Sequence, residues 1–485
     1  MSDARVLANH AGGSWSEPKA TETLEDRDPA SGDLLALIPL SGPAEVDAAV
    51  EGSRRAQREW RAVSPIDRAR ALLRFRELLI AHRDELAELV SRDMGKTLAD
   101  AAGEVGRGIE SVEAAAASPH LLKGENLEGV AEGIDVELVR QPIGVVAAIT
   151  PFNFPAMIPL WFLPFALAAG NGFVLKPSER DPLPPELLLE ILSEIDEIPA
   201  GLVSLVHGGR EAVDAILDHP GIGAVSFVGQ ASTAVHIATR GAASGKRVQA
   251  LGGAKNSIVV MPDADPELLA RGVTGSAFGA AGQRCLAGSV GVLVGTESEQ
   301  DAHRDAIVEA ARGLRVGPGL DPETDVGPVI APEVRELLAS EIEQAAGRGA
   351  ELALDGRRDP GPGGCFLGPT VIDGLPADDR VLNEELFGPL LGITRAPDLD
   401  AAIKFVNSSR YGNSALIFTR SGAAARAFRY GVEAGMVGVN VGIAAPVAWF
   451  PFSGWKASMI GDLHANGRDA FEFYTRKKVV TSRWE

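Results

Sequence analysis

The chain has 485 residues, of which 45% are hydrophobic and 23% are charged, an ordinary balance for a soluble globular protein. This length exceeds the size at which one hydrophobic core stops growing, so we expect two or more domains. The net charge of -20 argues against nucleic acid or an anionic membrane surface as a partner. Two cysteines far apart make no disulfide framework, which fits a reducing cytoplasm.

The N-terminal third reads as short strands followed by helices. Residues 1–45 are predicted to form strands and turns, with a hairpin-like turn at 28–32. Alanine, leucine and arginine then recur at helical spacing from Pro43 to about Val112. Gly95 is a plausible end for one of these helices. A last helix is predicted from about Leu98 to Ala117.

One segment invites a membrane interpretation. Residues 142–175 contain no charged residue and exceed the roughly 20 apolar residues that span a bilayer. Four prolines and Asn153 interrupt the segment, and each internal proline removes a helix hydrogen bond. A buried strand, a turn, a helix and a second strand fit better. The first 15 residues lack the pattern of a secretory signal, so a cytoplasmic location is expected.

Apolar β-type runs then alternate with helical text, which predicts a parallel, doubly wound α/β sheet. The four runs span residues 144–149, 173–177, 203–206 and 224–229. Such sheets bind ligands beyond the carboxyl ends of their strands. No G-x-G-x-x-G motif occurs there, although Gly229 at a strand-to-helix turn can still bring a helix N-terminus to a pyrophosphate. A second α/β unit is predicted after residue 287.

Two further stretches look like strands outside these units. Residues 119–141 are polar, are broken by glycines and end in an alternating run, which predicts a strand pair apart from the main core. The tail from Phe471 to Val480 alternates like an edge strand. A terminal strand of that kind often pairs with another subunit.

Cys285 follows a run of small residues and stands directly after Arg284. A neighbouring cation favours the thiolate, so Cys285 is a candidate nucleophile. The open alternative is a buried cysteine that acts as a small hydrophobic residue. Cys365 lies in a loop-to-strand context and is interpreted as structural. No His/Cys/Glu cluster has metal-ligand spacing, so no metal is expected.

Six stretches taken together resemble the aldehyde dehydrogenase superfamily, and they cover essentially the whole chain. They are 151–155 (PFNFP), 176–179 (KPSE), 227–229 (FVG), 251–253 (LGG), 282–285 (GQRC) and 385–389 (ELFGP). The runs GKRVQALGGAKN, SGWKAS and GDLHANG are most similar to the CoA-acylating branch that oxidises methylmalonate or malonate semialdehyde.

The resemblance implies an α/β fold with three parts. A Rossmann-type NAD-binding domain would comprise residues 1–118 and 142–250, and an α/β catalytic domain residues 251–447. A small β oligomerisation arm would begin with residues 119–141. Residues 448–485 would form a return segment and a C-terminal oligomerisation strand, and the assembly would be a homodimer or homotetramer.

The resemblance also implies residue roles. Cys285 would attack the aldehyde carbon, while the Asn153 side-chain amide and the Cys285 backbone N–H hold the oxyanion. Hydride transfer to NAD would leave a thioester. Lys176 and Glu179 would grip the adenosine ribose, which favours NAD over NADP, and Glu385 would hold the nicotinamide ribose. The full implied cofactor set is Thr150, Phe152, Lys176, Glu179, Arg180, Gly229, Gln230, Gly252 and Glu385.

One departure from the family pattern bears on the acyl acceptor. Hydrolytic members resemble Glu-Leu-Gly-Gly-Lys where this chain reads Ala250-Leu251-Gly252-Gly253-Ala254. Without that general base, water attack on the thioester loses a factor of roughly a hundred to ten thousand. A thiol is then the better acceptor, which points to CoA. A hydrolytic enzyme with another base, and a non-catalytic NAD-binding relative, are the alternatives.

Arg284 and Arg107 match two arginines with which the semialdehyde branch holds the substrate carboxylate. An arginine fork binds a carboxylate in bidentate fashion. After thioester formation the carboxylate would be lost as bicarbonate or carbon dioxide, giving propanoyl-CoA or acetyl-CoA. For Arg107 the alternative is a surface salt bridge worth at most about 1 kcal/mol. His464 is interpreted as a packing residue.

Overall fold

The computed structural model describes residues 5–17, 20 and 22–484. Residues 1–4, part of the stretch on which the expectation about a secretory signal rests, lie outside this range. The strands are β1 (Asn9–Ala11), β2 (Ser14–Ser16), β3 (Thr23–Arg27), β4 (Leu34–Pro39), β5 (Glu125–Ala131), β6 (Ile134–Pro142), β7 (Val145–Ile149), β8 (Gly172–Lys176), β9 (Val203–Leu205), β10 (Ile222–Val228), β11 (Arg247–Leu251), β12 (Asn256–Val260), β13 (Gly288–Val294), β14 (Glu351–Leu354), β15 (Thr370–Asp373), β16 (Leu390–Ala396), β17 (Tyr411–Gly412), β18 (Ser414–Phe418), β19 (Met436–Val439), β20 (Trp455–Lys456), β21 (Met459–Ile460) and β22 (Thr475–Arg483).

Helices connect most of these strands. They are α1 (Pro43–Trp60), α2 (Pro65–Ala81), α3 (Arg83–Met94), α4 (Leu98–Ala116), α5 (Ser118–Leu121), α6 (Met157–Ala168), α7 (Leu183–Ser193), α8 (Arg210–Asp218), α9 (Ala231–Ala243), α10 (Pro266–Phe278), α11 (Glu297–Arg312), α12 (Pro332–Gly347), α13 (Arg380–Asn383), α14 (Leu399–Ser408), α15 (Gly422–Gly431) and α16 (Gly467–Tyr474). The predicted helix end at Gly95 is confirmed, because Gly95 caps α3 with φ 93°.

The first sheet has eight strands in the order β2-β1-β9-β8-β7-β10-β11-β21. Its five central strands run parallel, and antiparallel strands close both edges. The strand order reverses from β7 to β10, and open α/β sheets bind ligands at such a switch point. The predicted doubly wound α/β sheet is therefore confirmed.

The second sheet has seven strands in the order β14-β15-β16-β13-β12-β18-β19, and only β14 runs antiparallel to its neighbour. A separate apolar cluster fills the space between this sheet and its helices. The chain returns to the first sheet through β21, which pairs with β11. The predicted domain boundaries stay a prediction.

The membrane interpretation of residues 142–175 is wrong. The segment forms β7, the helix α6 and β8, and α6 has only 12 residues. Every α6 residue is buried, because this helix packs inside the protein against α4 and the first sheet. Within the described residues, no helix combines the length and the apolar character that crossing a bilayer requires.

A three-stranded antiparallel sheet, β22-β6-β5, contains the two stretches that were predicted to stand apart. β22 pairs with β6 of the same chain over nine residues, from Thr475 to Arg483. The prediction that Phe471–Tyr474 already belongs to this strand is wrong, since those residues end α16. Gly467, Ala470, Phe471 and Tyr474 are buried at helical spacing, which outweighs the short alternation.

Candidate active site

Cys285 is presented by a tight left-handed turn. After α10, the residues Ala280, Ala281 and Gly282 take φ values of 49°, 52° and 69°. This region favours glycine, and a Cβ atom added at Gly282 would lie 2.1 Å from the carbonyl oxygen of Gly388. The small residues before Cys285 therefore allow the chain to turn sharply against the second sheet's loops.

Asparagine side chains fix the backbone around Cys285. The Nδ2 atoms of Asn256 and Asn413 donate to the Cys285 carbonyl at 2.9 and 2.8 Å. The Nδ2 atom of Asn153 donates to the Gln283 carbonyl at 2.9 Å. These buried amides hold the backbone of Cys285 between the two large sheets. Covalent catalysis at Cys285 would need this kind of preorganisation.

N–H donors lie close to Cys285 along the chain and in the neighbouring loop. The backbone N–H groups of Cys285 and Leu286 act on the sulfur, because both lower the pKa of the thiol. The side-chain amide of Asn153 carries two N–H groups and uses one of them on the Gln283 carbonyl. The backbone carbonyl of Asn153 accepts from the Nζ atom of Lys96 at 2.6 Å, which anchors its loop.

The surroundings of Cys285 favour its protonated form. Burial, together with the charge of Glu385, raises the pKa of the thiol to about 12. Arg284 lowers the pKa and so opposes this shift, but less strongly, and its guanidinium is ion-paired with Asp100 and donates to the Gly275 carbonyl at 3.2 Å. Activation of the sulfur by Arg284 stays a prediction.

Cys285 opens into a cavity of about 380 Å³, here called the Cys285 cavity. Arg284 and Arg107 both line it, so the structure brings the two predicted arginines to the nucleophile. Arg107 donates to Glu110 at 2.6 Å and to the Pro446 carbonyl at 3.1 Å. The remaining wall is largely apolar and aromatic; it includes Phe154, Met157, Trp161, Leu286, Ile443 and Phe452.

Three carboxylates line the Cys285 cavity, and hydrogen bonds engage all of them. Asp100 accepts from Arg284 and from the Ala280 N–H. Glu104 is paired with Lys96 at 2.6 Å and caps the start of α6 through the N–H groups of Ala156 and Met157.

Glu110 is the third cavity carboxylate. It accepts from Arg107 and, at 2.8 Å, from the Ala448 N–H. All three carboxylates are thus committed to holding cavity elements in position. None is left free to activate a water molecule over the sulfur.

The strand that could carry a general base presents an apolar side chain instead. Alternate residues of a strand face opposite sides of the sheet. Ala250 lies in the cluster that contains Ala147 and Phe227, whereas Leu251 lies in the cluster against which Cys285 packs. Ala250, where hydrolytic members carry the base, thus offers a methyl group and no carboxylate, and the neighbouring Leu251 is apolar as well. The role of position 250 stays a prediction.

Glu385 lies beyond the cavity lining, next to the LGG turn. Its Oε1 atom accepts from the Ala254 N–H at 2.8 Å. Burial raises the pKa of Glu385 to about 7, against the effect of that N–H and of Lys255. Burial lowers the pKa of Lys255 to about 8. The protonation of Glu385 and Lys255 can therefore change near neutral pH.

Most predicted cofactor residues lie at the carboxyl ends of the central strands of the first sheet. Lys176 ends β8, and its Nζ atom pairs with Glu179 at 2.7 Å. Burial alone would raise the pKa of Glu179, but the charge of Lys176 lowers it overall. The Oγ1 atom of Thr150, just after β7, is buried and has no partner among the described residues. A bound ligand with a polar group would satisfy it.

Gly229 and its neighbours form the strand-to-helix turn after β10. A Cβ atom at Gly229 would lie 2.5 Å from the Phe227 ring, so only glycine fits here. Gln230 precedes α9 without capping it through its side chain. Gly252 donates its N–H to the Ser458 carbonyl at 2.9 Å. A strand-to-helix turn of this kind can bring a helix N-terminus to a pyrophosphate, and the roles of Gly229, Gln230 and Gly252 in cofactor binding stay predictions.

Phe152 and Arg180 complete the predicted cofactor set. Phe152 meets Phe387 edge to face, with the ring centroids 5.7 Å apart. Arg180 is exposed and donates to Glu333 at 2.9 Å. Its guanidinium is therefore engaged with a carboxylate in this structure.

The two remaining candidates take part in packing. Cys365 is buried in the core of the second sheet, and its thiol donates to the Gly363 carbonyl at 3.1 Å. His464 contacts Asp469 at 3.0 Å near the start of α16.

The sequence analysis did not identify the groups that hold the site together. Asp100, Asn256 and Asn413 lie far along the chain from the residues they position, whereas Glu110 also holds Arg107, three residues before it. No local motif marks them, although Asp100 precedes Arg107 on α4 by about two helical turns and Glu110 follows it by about one.

Comparison with known proteins agrees with this geometry. A model described as "Aldehyde dehydrogenase family" matches residues 15–480. "Malonate-semialdehyde dehydrogenase 1" of Geobacillus kaustophilus is 49% identical over 485 residues, which covers 100% of this chain and 99% of that protein.

Solved structures give the same result. A Sinorhizobium meliloti protein, provisionally named methylmalonate-semialdehyde dehydrogenase and complexed with NAD, superposes with a TM-score of 0.98 at 42% identity, covering 100% of this chain and 99% of that one. The methylmalonate-semialdehyde dehydrogenase of Oceanimonas doudoroffii has a TM-score of 0.96 at 42% identity, covering 99% of both chains.

Proposed function

The chain belongs to the aldehyde dehydrogenase family, and we propose that it oxidises methylmalonate or malonate semialdehyde with NAD and passes the acyl group to CoA. One observation carries this proposal. The Cys285 cavity contains a nucleophile and two arginines, while hydrogen bonds engage every carboxylate that lines it. The relatives named for these two substrates support the same assignment.

The first step forms a covalent bond at Cys285. The sulfur attacks the aldehyde carbon, the thiol proton passes to solvent in the cavity, and the carbonyl electron pair moves onto oxygen. The free N–H of Asn153 and the backbone N–H of Cys285 stabilise that oxyanion. Removing one such donor typically costs about a hundred- to a thousandfold in rate.

The cofactor residues fit NAD. Lys176 and Glu179 together offer a cation and a carboxylate that suit two ribose hydroxyl groups, and the carboxylate would repel a 2′-phosphate. The unpartnered Thr150 Oγ1 atom and the open backbone turn at Gly229 fit a polar ligand lying over the strand ends. NAD, when bound, accepts the hydride that converts the Cys285 adduct into a thioester.

The substrate carboxylate is recognised by Arg284 and Arg107. Each guanidinium has five N–H groups, more than its bonds to a carboxylate and to backbone carbonyls use, and both arginines line the cavity. Once the thioester exists, the carboxylate leaves as carbon dioxide. The electron pair of the broken carbon–carbon bond stays on the α-carbon, which then takes a proton.

Transfer to CoA releases the enzyme. The CoA sulfur bonds to the acyl carbon, the bond from that carbon to the Cys285 sulfur breaks, and the thiol proton ends on Cys285. The product is propanoyl-CoA or acetyl-CoA. Thiol attack needs less activation than water attack, which fits a cavity without a free carboxylate.

The experiment compares short aldehydes with and without a carboxylate, in the presence and absence of CoA. NADH formation and acyl-CoA formation are measured together. We expect sustained NADH formation only with a semialdehyde and CoA, and a stoichiometric acyl-CoA product. Free acid formed at the same rate without CoA would overturn the proposal in favour of hydrolysis.

Self-association is part of the proposal. Val479 and Val480 on β22 are 64% and 37% exposed, and the outer edge of β22 has no neighbouring strand in its sheet. We infer a homodimer or homotetramer that uses this edge, located in the cytoplasm, where its two free cysteines stay reduced. Light scattering during gel filtration tests the assembly; a monomeric mass would contradict it.

A further inference from the structure

Asn466 occupies a strained position at the wall of the Cys285 cavity. Its backbone has φ 68° and ψ 174°, a region that glycine occupies almost alone. It is the residue directly before α16, a position where asparagine usually caps the helix with its side chain. Here the side chain makes no capping hydrogen bond. The helix therefore does not explain why asparagine stands at this point.

Asn466 lines the cavity, and its side chain carries an enclosed acceptor without a partner among the described residues. Asn466 is 3% exposed, and its Oδ1 atom has no hydrogen-bond partner among the described residues. It lines the same cavity as Cys285, Arg107 and Arg284. A buried acceptor without a partner is costly, so its persistence indicates a donor that arrives with a ligand.

Hydrogen bonds on both sides hold Asn466 in place. Phe452 donates its N–H to the Ala465 carbonyl at 2.8 Å, and Gly467 donates its N–H to the Ala448 carbonyl at 3.0 Å. Both partners, Phe452 and Ala448, also line the Cys285 cavity. The amide is therefore built into the cavity wall.

The chemistry of the reactants indicates which of their groups could donate a hydrogen bond to the Asn466 Oδ1 atom. The aldehyde oxygen and the carboxylate of a semialdehyde are acceptors only, and N–H groups already serve them. The pantetheine arm of CoA does bring donors, and its nearest amide N–H is separated from the thiol by two methylene groups. We propose that Asn466 accepts a hydrogen bond from this amide and so positions the CoA thiol over the Cys285 thioester.

This inference rests on the proposed function and adds to it the direction from which CoA approaches Cys285. CoA would enter through the Cys285 cavity, after the substrate carboxylate has left. The step remains the exchange of one thioester for another, with the thiol proton transferred to Cys285. Asn466 takes no proton and is a positioning residue.

The test compares two small thiols as acyl acceptors. N-acetylcysteamine carries the amide of pantetheine, whereas 2-mercaptoethyl acetate replaces its N–H by an ester oxygen. The amplitude of the initial NADH burst gives the number of enzyme molecules that have formed the thioester. The deacylation rate is then divided by that number. We expect the wild-type enzyme to react about tenfold faster with the amide thiol, which corresponds to roughly one charge-neutral hydrogen bond.

Asn466→Gly should abolish this preference, so that the ratio of the two rates falls about tenfold towards one. Glycine suits φ 68°, so the variant is expected to fold, and its melting temperature checks this. Ser111→Ala is the matched control, because the Ser111 hydroxyl lines the same cavity but already donates to the Arg107 carbonyl at 3.3 Å. Its ratio should equal that of the wild type.

The outcomes separate the two proposals. If the wild-type enzyme transfers acyl groups to CoA but shows no preference for the amide thiol, the role of Asn466 is overturned. The same holds if Asn466→Gly keeps the preference. If no thiol, CoA included, accepts the acyl group, the proposed CoA-acylating function itself fails.

Discussion

Ionisable groups are held differently in two regions near Cys285, the Cys285 cavity and the LGG turn. In the Cys285 cavity, Asp100, Glu104 and Glu110 are all held by cations and backbone N–H groups. Near the LGG turn, Glu385 and Lys255 are buried, with pKa values moved to about 7 and about 8. This difference indicates that the cavity carboxylates hold the cavity walls in position. The chemistry in the cavity must then come from the sulfur and from the reactants.

The largest expected effect comes from removing the sulfur. Cys285→Ala should lower NADH formation by at least about ten-thousandfold, because covalent catalysis ends without the nucleophile. Steady-state NADH formation measures it, and NAD binding by fluorescence quenching checks that the cofactor site survives. Cys365→Ala is the matched control and should stay within a few-fold of wild type. A similar loss in both variants would break the distinction between the two cysteines.

The second effect follows from the buried thiol. Because burial raises the pKa of Cys285 to about 12, its thiolate fraction should rise about tenfold per pH unit below that value. Alkylation by iodoacetamide without NAD should therefore accelerate about a thousandfold from pH 6 to pH 9. Mass mapping of the labelled peptide follows Cys285 alone.

A plateau of the alkylation rate between pH 6 and pH 8 would show that a nearby cation activates the sulfur after all. Glu385→Gln sharpens the test. It removes the negative charge that helps to raise the pKa of Cys285, so the variant should react faster than the wild type at the same pH.

The third effect tests the missing base. Ala250→Glu places a carboxylate where the hydrolytic pattern carries its base and should raise CoA-independent formation of free acid about a hundredfold. Ala250→Gln matches its size without the charge, and Leu251→Glu places the charge on the other side of β11. Neither control should gain hydrolysis. A gain with Leu251→Glu alone would contradict the assignment of the missing base to position 250.

The smallest effect concerns the substrate carboxylate. Arg284→Gln should lower kcat/KM for the semialdehyde about thirtyfold relative to propanal, and Arg107→Gln about tenfold, since charge-assisted hydrogen bonds are lost. Arg271→Gln is the control, because Arg271 lines a neighbouring cavity that shares Arg284 but not Cys285. Equal losses for both aldehydes would indicate a structural role for the arginines.

Local patterns predicted much of this site. The apolar strands, the helix end at Gly95 and the small residues before Cys285 all act within a few residues of the chain, so the sequence alone reveals them. The family motifs placed Lys176, Glu179 and Cys285 at strand ends and turns. Predicting Phe471–Tyr474 as strand failed because Phe471 and Tyr474, three residues apart, continue a buried helix face with Gly467 and Ala470.

By itself, the sequence determined the α/β class, the resemblance to the family and the absence of a carboxylate at position 250, because each depends on short-range patterns or on which residue type is present. Only the tertiary structure decided what each polar side chain contacts. It pairs Arg284 with Asp100, 184 positions away, and it brings the Asn256 and Asn413 amides to the Cys285 carbonyl. Such pairings depend on how helices and sheets pack across long separations, which no local pattern encodes.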